Sequence, residues 1–413
     1  MGSVYSLTLG NLLVLGPSNP NVSWIKGKAF TAMADALYTV VRNEIASKTI
    51  SDLEQSKRSD LAKRKPYVAK KLEANQKRQE MGFPTPVIRL AANMLCNFQC
   101  NHCCAEHYMD RHLMKITGKK EERHQLDLDD IRNLSRQADE FGLARFVLTG
   151  GEPLLMRNPS FEEIVEAIDP EKHYIITDTN GWFMDSAKAK HIKSIGVEKV
   201  QLSLDSSIEN EHDAFRNKKG SFKRVMRAVD ACLEAGLNLI LSTCLVRDRV
   251  RSKEFRDLCE FSKEKGIGLY VTYAKPVGNA KEHLEWVILK DDADYLRELE
   301  KEYNVFTHMT PSYGMHQGCI TVKGIITVTS TGEIVPCPYM DMSIGNYLNQ
   351  PLSDILMRGM RNKWLGPHRP DCLIGEDFEF IDFHNKSVGE RKLLPVPYGE
   401  GFSDTDLLPV INN

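Results

Sequence analysis

Between about residues 84 and 280 the chain alternates short apolar runs with stretches of helical periodicity, an order that few architectures accept. The runs lie at 87–92, 145–148, 174–177, 199–204, 239–243 and 269–273. Between the first two, Leu128, Ile131, Leu134 and Ala138 recur with the spacing of one helix face. Strands joined by helices pair in parallel, because the crossover carries the chain back to its starting end. The pattern therefore predicts an α/β fold with a six-stranded parallel sheet, curled into an open barrel. Ligands of such sheets gather at the carboxyl ends of the strands, so the residues just after each run are the candidates for chemistry.

Ten cysteines in 413 residues are too sparse for a disulfide scaffold, and six of them fall into two groups with ligand-like spacing. The first group, Cys96, Cys100 and Cys103, is a CxxxCxxC loop directly after the first run. Three thiolates on so compact a loop can wrap three corners of an iron–sulfur cubane. The fourth iron then stays open to a cofactor or substrate, as in catalytic metal sites. Zinc is the alternative, but zinc modules supply paired ligands and close all four positions. Cys104 is read as a bystander, and Cys232, Cys244 and Cys259 as core.

At these residues the chain resembles the radical S-adenosylmethionine (SAM) superfamily, with His102 where the family carries an aromatic or similar residue before the last cysteine. The likeness continues at the ends of the later runs. Thr149-Gly150-Gly151-Glu152-Pro153 matches the family's GGEP segment. Thr179-Asn180-Gly181 ends the third run and Ser203-Leu204-Asp205 the fourth, and His212, Asp213 and Arg216 lead into Gly220-Ser221-Phe222. The resemblance implies that Cys96, Cys100 and Cys103 hold a [4Fe–4S] cluster whose open iron chelates SAM. It places His102, Gly150, Gly151, Glu152, Pro153, Thr179, Asn180, Ser203, Asp205 and Arg216 around that cofactor. One electron from the cluster, supplied by a flavodoxin or ferredoxin, would split SAM to a 5′-deoxyadenosyl radical that abstracts hydrogen from a substrate. No side chain is assigned as a catalytic acid or base.

In the second group Cys319 is followed after twelve residues by Gly332 and after four more by Cys337, with Cys372 downstream. This resembles the start of the auxiliary-cluster extension called SPASM in its long form and twitch in its short one. The further cysteines of the long form do not follow Cys372, which implies one auxiliary [4Fe–4S] cluster. Its fourth ligand is open among His316, Asp371, solvent and the substrate; three reduced core thiols are the alternative. A hairpin is expected here, with 320–322 and 325–329 before the turn at Thr331-Gly332-Glu333 and 334–335 after it. The whole then divides into a helical N-terminal extension (1–83), a partial (β/α)6 radical SAM barrel (84–285), a small hairpin-and-helix auxiliary-cluster region (286–392) and a tail (393–413).

The extension carries an amphipathic pattern at Met33, Ala34, Leu37, Val40, Val41 and Ile45, followed by Lys57, Arg58, Lys63, Arg64, Lys65, Lys70, Lys71, Lys77 and Arg78. Such a segment either packs on the main domain with a solvated basic face or grips a lipid surface, a peptide or a partner. The totals of 54 Lys and Arg against 56 Asp and Glu give no overall pull toward nucleic acid. No run approaches the roughly 20 apolar residues of a membrane span, so a cytoplasmic protein is expected, with peripheral membrane contact through the N-terminal helix as a further expectation. The expected substrate is a peptide, a lipid or another small molecule, with a slight lean toward a peptide or amphiphilic one because of the N-terminal region. The rival reading is a non-catalytic iron–sulfur electron carrier or scaffold. A cobalamin-dependent methylase would need a cobalamin-binding region that the sequence does not display.

Overall fold

All six apolar runs become strands with small shifts at their ends: β1 (Val87–Asn93), β2 (Arg145–Gly150), β3 (Tyr174–Thr179), β4 (Val197–Ser203), β5 (Asn238–Leu245) and β6 (Gly268–Tyr273). The computed structural model describes residues 52–81, 83–119, 122–309 and 318–409. The amphipathic pattern at 33–45 lies outside the described residues, as does His316. The six strands pair in parallel in chain order, and a short β7 (Val305–Thr307) extends them parallel to β6. On the other side β8 (Ile325–Val328) adds parallel to β1, with Ile325 opposite Val87, and continues antiparallel into β9 (Glu333–Val335) and β10 (Gly345–Asn346). The result is one sheet in the order β10-β9-β8-β1-β2-β3-β4-β5-β6-β7. The expected hairpin is thus formed by β8 and β9 alone. Residues 320–322 make only an isolated bridge, because Val322 sits at φ +60°, which interrupts an extended strand.

Each strand presents alternate residues to opposite faces. On β1, Ile88 and Leu90 are fully buried in the core that also takes Ile131, Leu134 and Ala138, while Arg89 faces the other way. The helix bearing those three residues, α4 (Leu128–Phe141), starts where the Asp127 carboxylate accepts the N–H groups of Asp129 and Asp130, and ends at Gly142 with φ +83°. Two earlier helices, α1 (Asp52–Arg64) and α2 (Pro66–Glu80), and a short α3 (Asp110–Thr117) precede it.

Part of the basic stretch over α1 and α2 docks on the barrel, as the packing extension was expected to, while Arg58, Lys63, Lys70 and Lys77 stay exposed. Arg64 forks onto Glu198 at 3.1 and 2.9 Å, Lys65 reaches the same carboxylate at 2.9 Å, and Lys57 donates to Asn238. Lys71 pairs with Asp139 at 2.6 Å and Arg78 caps the Phe141 carbonyl. These partners stand at the amino ends of the strands, so the helix pair closes the end opposite the candidate site. The tail also packs: Val396 and Phe402 are fully buried, the latter against Phe380. Among the described residues no helix is long and apolar enough to cross a membrane.

Candidate active site

The cysteine loop leaves β1 at its carboxyl end and is clamped from two directions. The first clamp is the GGEP segment after β2. Gly151 N–H donates to Asn93 O at 3.0 Å and Glu152 N–H to Leu95 O at 2.7 Å. A side chain on Gly151 would place its Cβ 1.9 Å from Leu95 O, and one on Gly150, at φ +114°, 2.3 Å from Asn93 O. The close approach that requires these glycines is therefore to the backbone that enters the cysteine loop. The second clamp follows β6: Asn279 N–H donates to Cys103 O at 3.0 Å and its side-chain amide to Cys100 O at 2.8 Å. A Cβ on Gly278 would strike Cys103 O at 2.2 Å. Sequence reasoning missed this clamp; its signal is a Val-Gly-Asn turn just beyond the sixth strand.

Inside the loop, Cys100 is buried and Cys96 and Cys103 are half-buried. Burial pushes the Cys96 thiol up to about 11 and raises those of Cys100 and Cys103 as well. Thiols so placed become thiolates only beside a cation, which iron supplies. Among the described residues the trio of His, Cys, Asp and Glu ligand atoms within 4.8 Å of one another is His124, Asp127 and Asp130 at the surface. Two buried polar atoms beside the loop, Asn97 Nδ2 and His102 Nδ1, lack a partner, as expected where a polar cofactor is to be held.

The remaining SAM candidates form two polar nests below the loop. Glu152 is 1% exposed; its carboxylate accepts Thr179 Oγ1 at 2.7 Å, Asn180 N–H at 2.9 Å and Leu154 N–H at 3.2 Å. Burial nevertheless lifts its acid to about 7. Asn180 in turn donates to Asn97 Oδ1, and Pro153 is buried beneath. Asp205 is wholly buried and accepts Arg216 Nε at 2.5 Å and Cys244 N–H at 2.9 Å. Burial alone would raise the Asp205 carboxyl, yet the Arg216 guanidinium holds it well below the usual carboxylate range. Arg216 also approaches Cys100 Sγ at 3.9 Å. His102 stacks on Phe215 with ring centroids 4.1 Å apart, and burial drops its imidazole to about 3, leaving it neutral. Ser203, half-buried at the end of β4, completes the arc.

Cys319, Cys337 and Cys372 come together as a second buried thiol trio: Cys319 and Cys372 lie close enough to Cys337 to help raise its thiol, and Cys319 does the same to Cys372. Asp371 is exposed while its neighbour Cys372 is buried. The two trios share one short segment. Lys275, just past β6, packs beside Cys372, and Asn279, four residues on, holds Cys100 and Cys103. Four residues of extended chain span at most about 14 Å, which bounds the separation of the Lys275 and Asn279 backbones. Between them the sheet's inner face carries groups that the sequence did not reveal. Arg89 on β1 pairs with Asp178 on β3 at 2.6 Å and with Thr149 on β2, and its charge reaches Tyr339. Cys104, read as a bystander, faces this space beside Arg89 and Asp341, and Asp341 is itself bonded by His107 and Tyr108.

The Radical SAM superfamily profile matches residues 94–262, the segment that holds the cysteine loop and both polar nests. The chain belongs to that superfamily and is an enzyme of its kind. The iron–sulfur cluster-binding SPASM domain profile matches residues 319–373, which contain the second thiol trio. Its cofactors are accordingly a [4Fe–4S] cluster, SAM and an auxiliary iron–sulfur cluster. Among similar proteins, the AdoMet-dependent heme synthase of Nitratidesulfovibrio vulgaris is 26% identical over 309 residues, covering 67% of this chain and 80% of its own. The GTP 3′,8-cyclase of Nautilia profundicola is 28% identical over 301 residues, with 67% and 90% covered. Streptococcus suis SuiB, solved with the precursor peptide SuiA, is 17% identical, with a TM-score of 0.49 and 71% of each chain covered.

Proposed function

We propose that Cys96, Cys100 and Cys103 hold the SAM-binding cluster, that Cys319, Cys337 and Cys372 hold the auxiliary one, and that the substrate lies between them. The observation that supports this reading is the single segment at residues 275–279, which bonds the Cys100 and Cys103 carbonyls at one end and lies near Cys372 at the other. When bound, the first cluster and SAM would supply a 5′-deoxyadenosyl radical able to take hydrogen from an unactivated carbon. The chain's own part is placement. The two backbone clamps fix the cysteine loop, Arg216 held by Asp205 offers a guanidinium toward the cofactor, and neutral His102 offers a flat face. The buried surroundings exclude water from a reactive intermediate. The second cluster would accept the electron left on the substrate or ligate the substrate itself.

The substrate is a peptide, a lipid or another small organic molecule. The rival, an electron carrier or scaffold, would need neither an open iron nor the polar nests. Anaerobic protein with dithionite and SAM separates the two: 5′-deoxyadenosine above a Cys96→Ala control is expected, and none above that control would end the proposal. Iron content checks the second site, with about eight irons per chain expected for two cubanes and about four for one.

A further inference from the structure

Lys275, two residues past the end of β6, is 3% exposed. Among the described residues its ammonium makes one hydrogen bond, to Tyr273 O at 3.2 Å, and no ion pair. It lies over the rings of Tyr273 and Tyr339, 4.6 and 5.5 Å from their centroids. Its Cδ and Cε and the Cys372 Sγ all fall within 3.2 Å of the point where a side chain on Gly375 would begin, so lysine and thiol are near neighbours. The nearby Glu376 carboxylate accepts the Cys372 N–H at 2.6 Å and makes no ion pair with Lys275. Another neighbour, His308, brings no anion: burial and the Lys275 charge together keep its imidazole neutral. The second lysine of the region, Lys323, spends its protons on the carbonyls of Leu365, Gly366 and Pro367. A buried ammonium without a counter-charge is costly, and the group beside it that would become anionic is the thiolate trio.

We propose that Lys275 is the counter-cation of the auxiliary cluster: its ammonium offsets the negative charge of a cluster held by Cys319, Cys337 and Cys372 and favours the reduced state. This rests on the assignment of those thiols under the proposed function. Reduction adds one electron and no atom, so a fixed positive charge close by draws the potential upward.

The test is a dithionite redox titration of the reconstituted holoenzyme, followed by electron paramagnetic resonance, for wild type, Lys275→Met and Lys275→Arg. Lys275→Met is expected to lower the reduced-to-oxidised ratio of the auxiliary cluster about tenfold at a fixed potential, a shift of about 59 mV for one electron. The SAM-binding cluster should not move, and Lys275→Arg should stay near wild type. If Lys275→Met instead sheds the auxiliary iron while Lys275→Arg keeps it, the charge is again what the cluster needs, and the proposal stands. Unchanged auxiliary potential with full iron in Lys275→Met overturns it, as does an equal shift of both clusters or equal iron loss in both variants. A wild type with only about four irons would remove the second cluster itself, and with it the assignment beneath the inference.

Discussion

Replacing Gly151 by alanine adds one methyl group at the junction on which the cysteine loop depends. That methyl would lie 1.9 Å from Leu95 O, 2.4 Å from the Leu95 carbonyl carbon and 2.9 Å from its nitrogen. Non-bonded heavy atoms settle near 3.5 Å, so the two backbones must part by roughly 1.5 Å. The obstacle is backbone, which no rotamer change can relieve. Parting them breaks the Gly151 N–H to Asn93 O and Glu152 N–H to Leu95 O bonds, about 1 kcal/mol each, and adds about 1–3 kcal/mol of overpacking strain. Gly151→Ala should therefore lose about 3–5 kcal/mol in urea unfolding and should bind about four fewer irons after anaerobic reconstitution, by elemental analysis. Gly118→Ala is the control: it meets nothing within 4 Å and suffers only from its φ of +73°, about 1 kcal/mol. If Gly151→Ala matched the control in stability and kept its iron, the GGEP segment would not be the clamp described above.

Three further outcomes follow from the same contacts. Asp205→Asn should cost about 3–5 kcal/mol in chemical denaturation by stranding the Arg216 guanidinium, whereas an unchanged midpoint would show that Arg216 finds another partner. Glu198→Gln removes the shared anion of Arg64 and Lys65; a loss of about 2 kcal/mol and faster limited proteolysis within residues 52–80 are expected, with SAM cleavage within about twofold of wild type because the helix pair closes the far end. Unaltered proteolysis would refute the docking role. For pH, burial holds His102 and His173 at about 3 and His212 at about 4, so their contribution is complete above about 6.5 and declines as pH falls toward those values. Glu152, raised to about 7, acts oppositely, contributing most below about 4.5 and losing that as pH rises through 7. At pH 5.5 the three histidines prevail, with a net uptake of about two protons on unfolding; apo-protein stability that failed to decline between pH 6.5 and 5 would contradict this balance.

The parallel strands were legible because each carries a short apolar stretch, even where one face is only partly buried, as in β3 and β4. The cysteine loop and the polar segments after β2, β3 and β4 were legible because each sits directly behind such a run. What escaped was non-local. Nothing in 325–328 announces that it will pair with 87–90, since register between distant strands is set by the assembled sheet. Arg89 is one charged letter in an apolar run, and only the alternation of faces tells that it points inward. The basic letters between Lys57 and Arg78 show charge but not direction, and apart from Asp60 beside Arg64 the barrel carbonyls and carboxylates that they serve lie more than sixty residues away. Lys275 and Asn279 carry no local signature beyond a turn, although they lie beside both thiol trios.

The pairing of β8 with β1 carries a consequence for how such a chain can be cut, fused or inherited. Ending it before Cys319 would strip the partner from the first barrel strand and leave a row of bare backbone donors and acceptors, an invitation to aggregation. The two iron-binding regions are thus poor candidates for exchange as interchangeable cassettes. A chimera that respects the continuous sheet should swap them together.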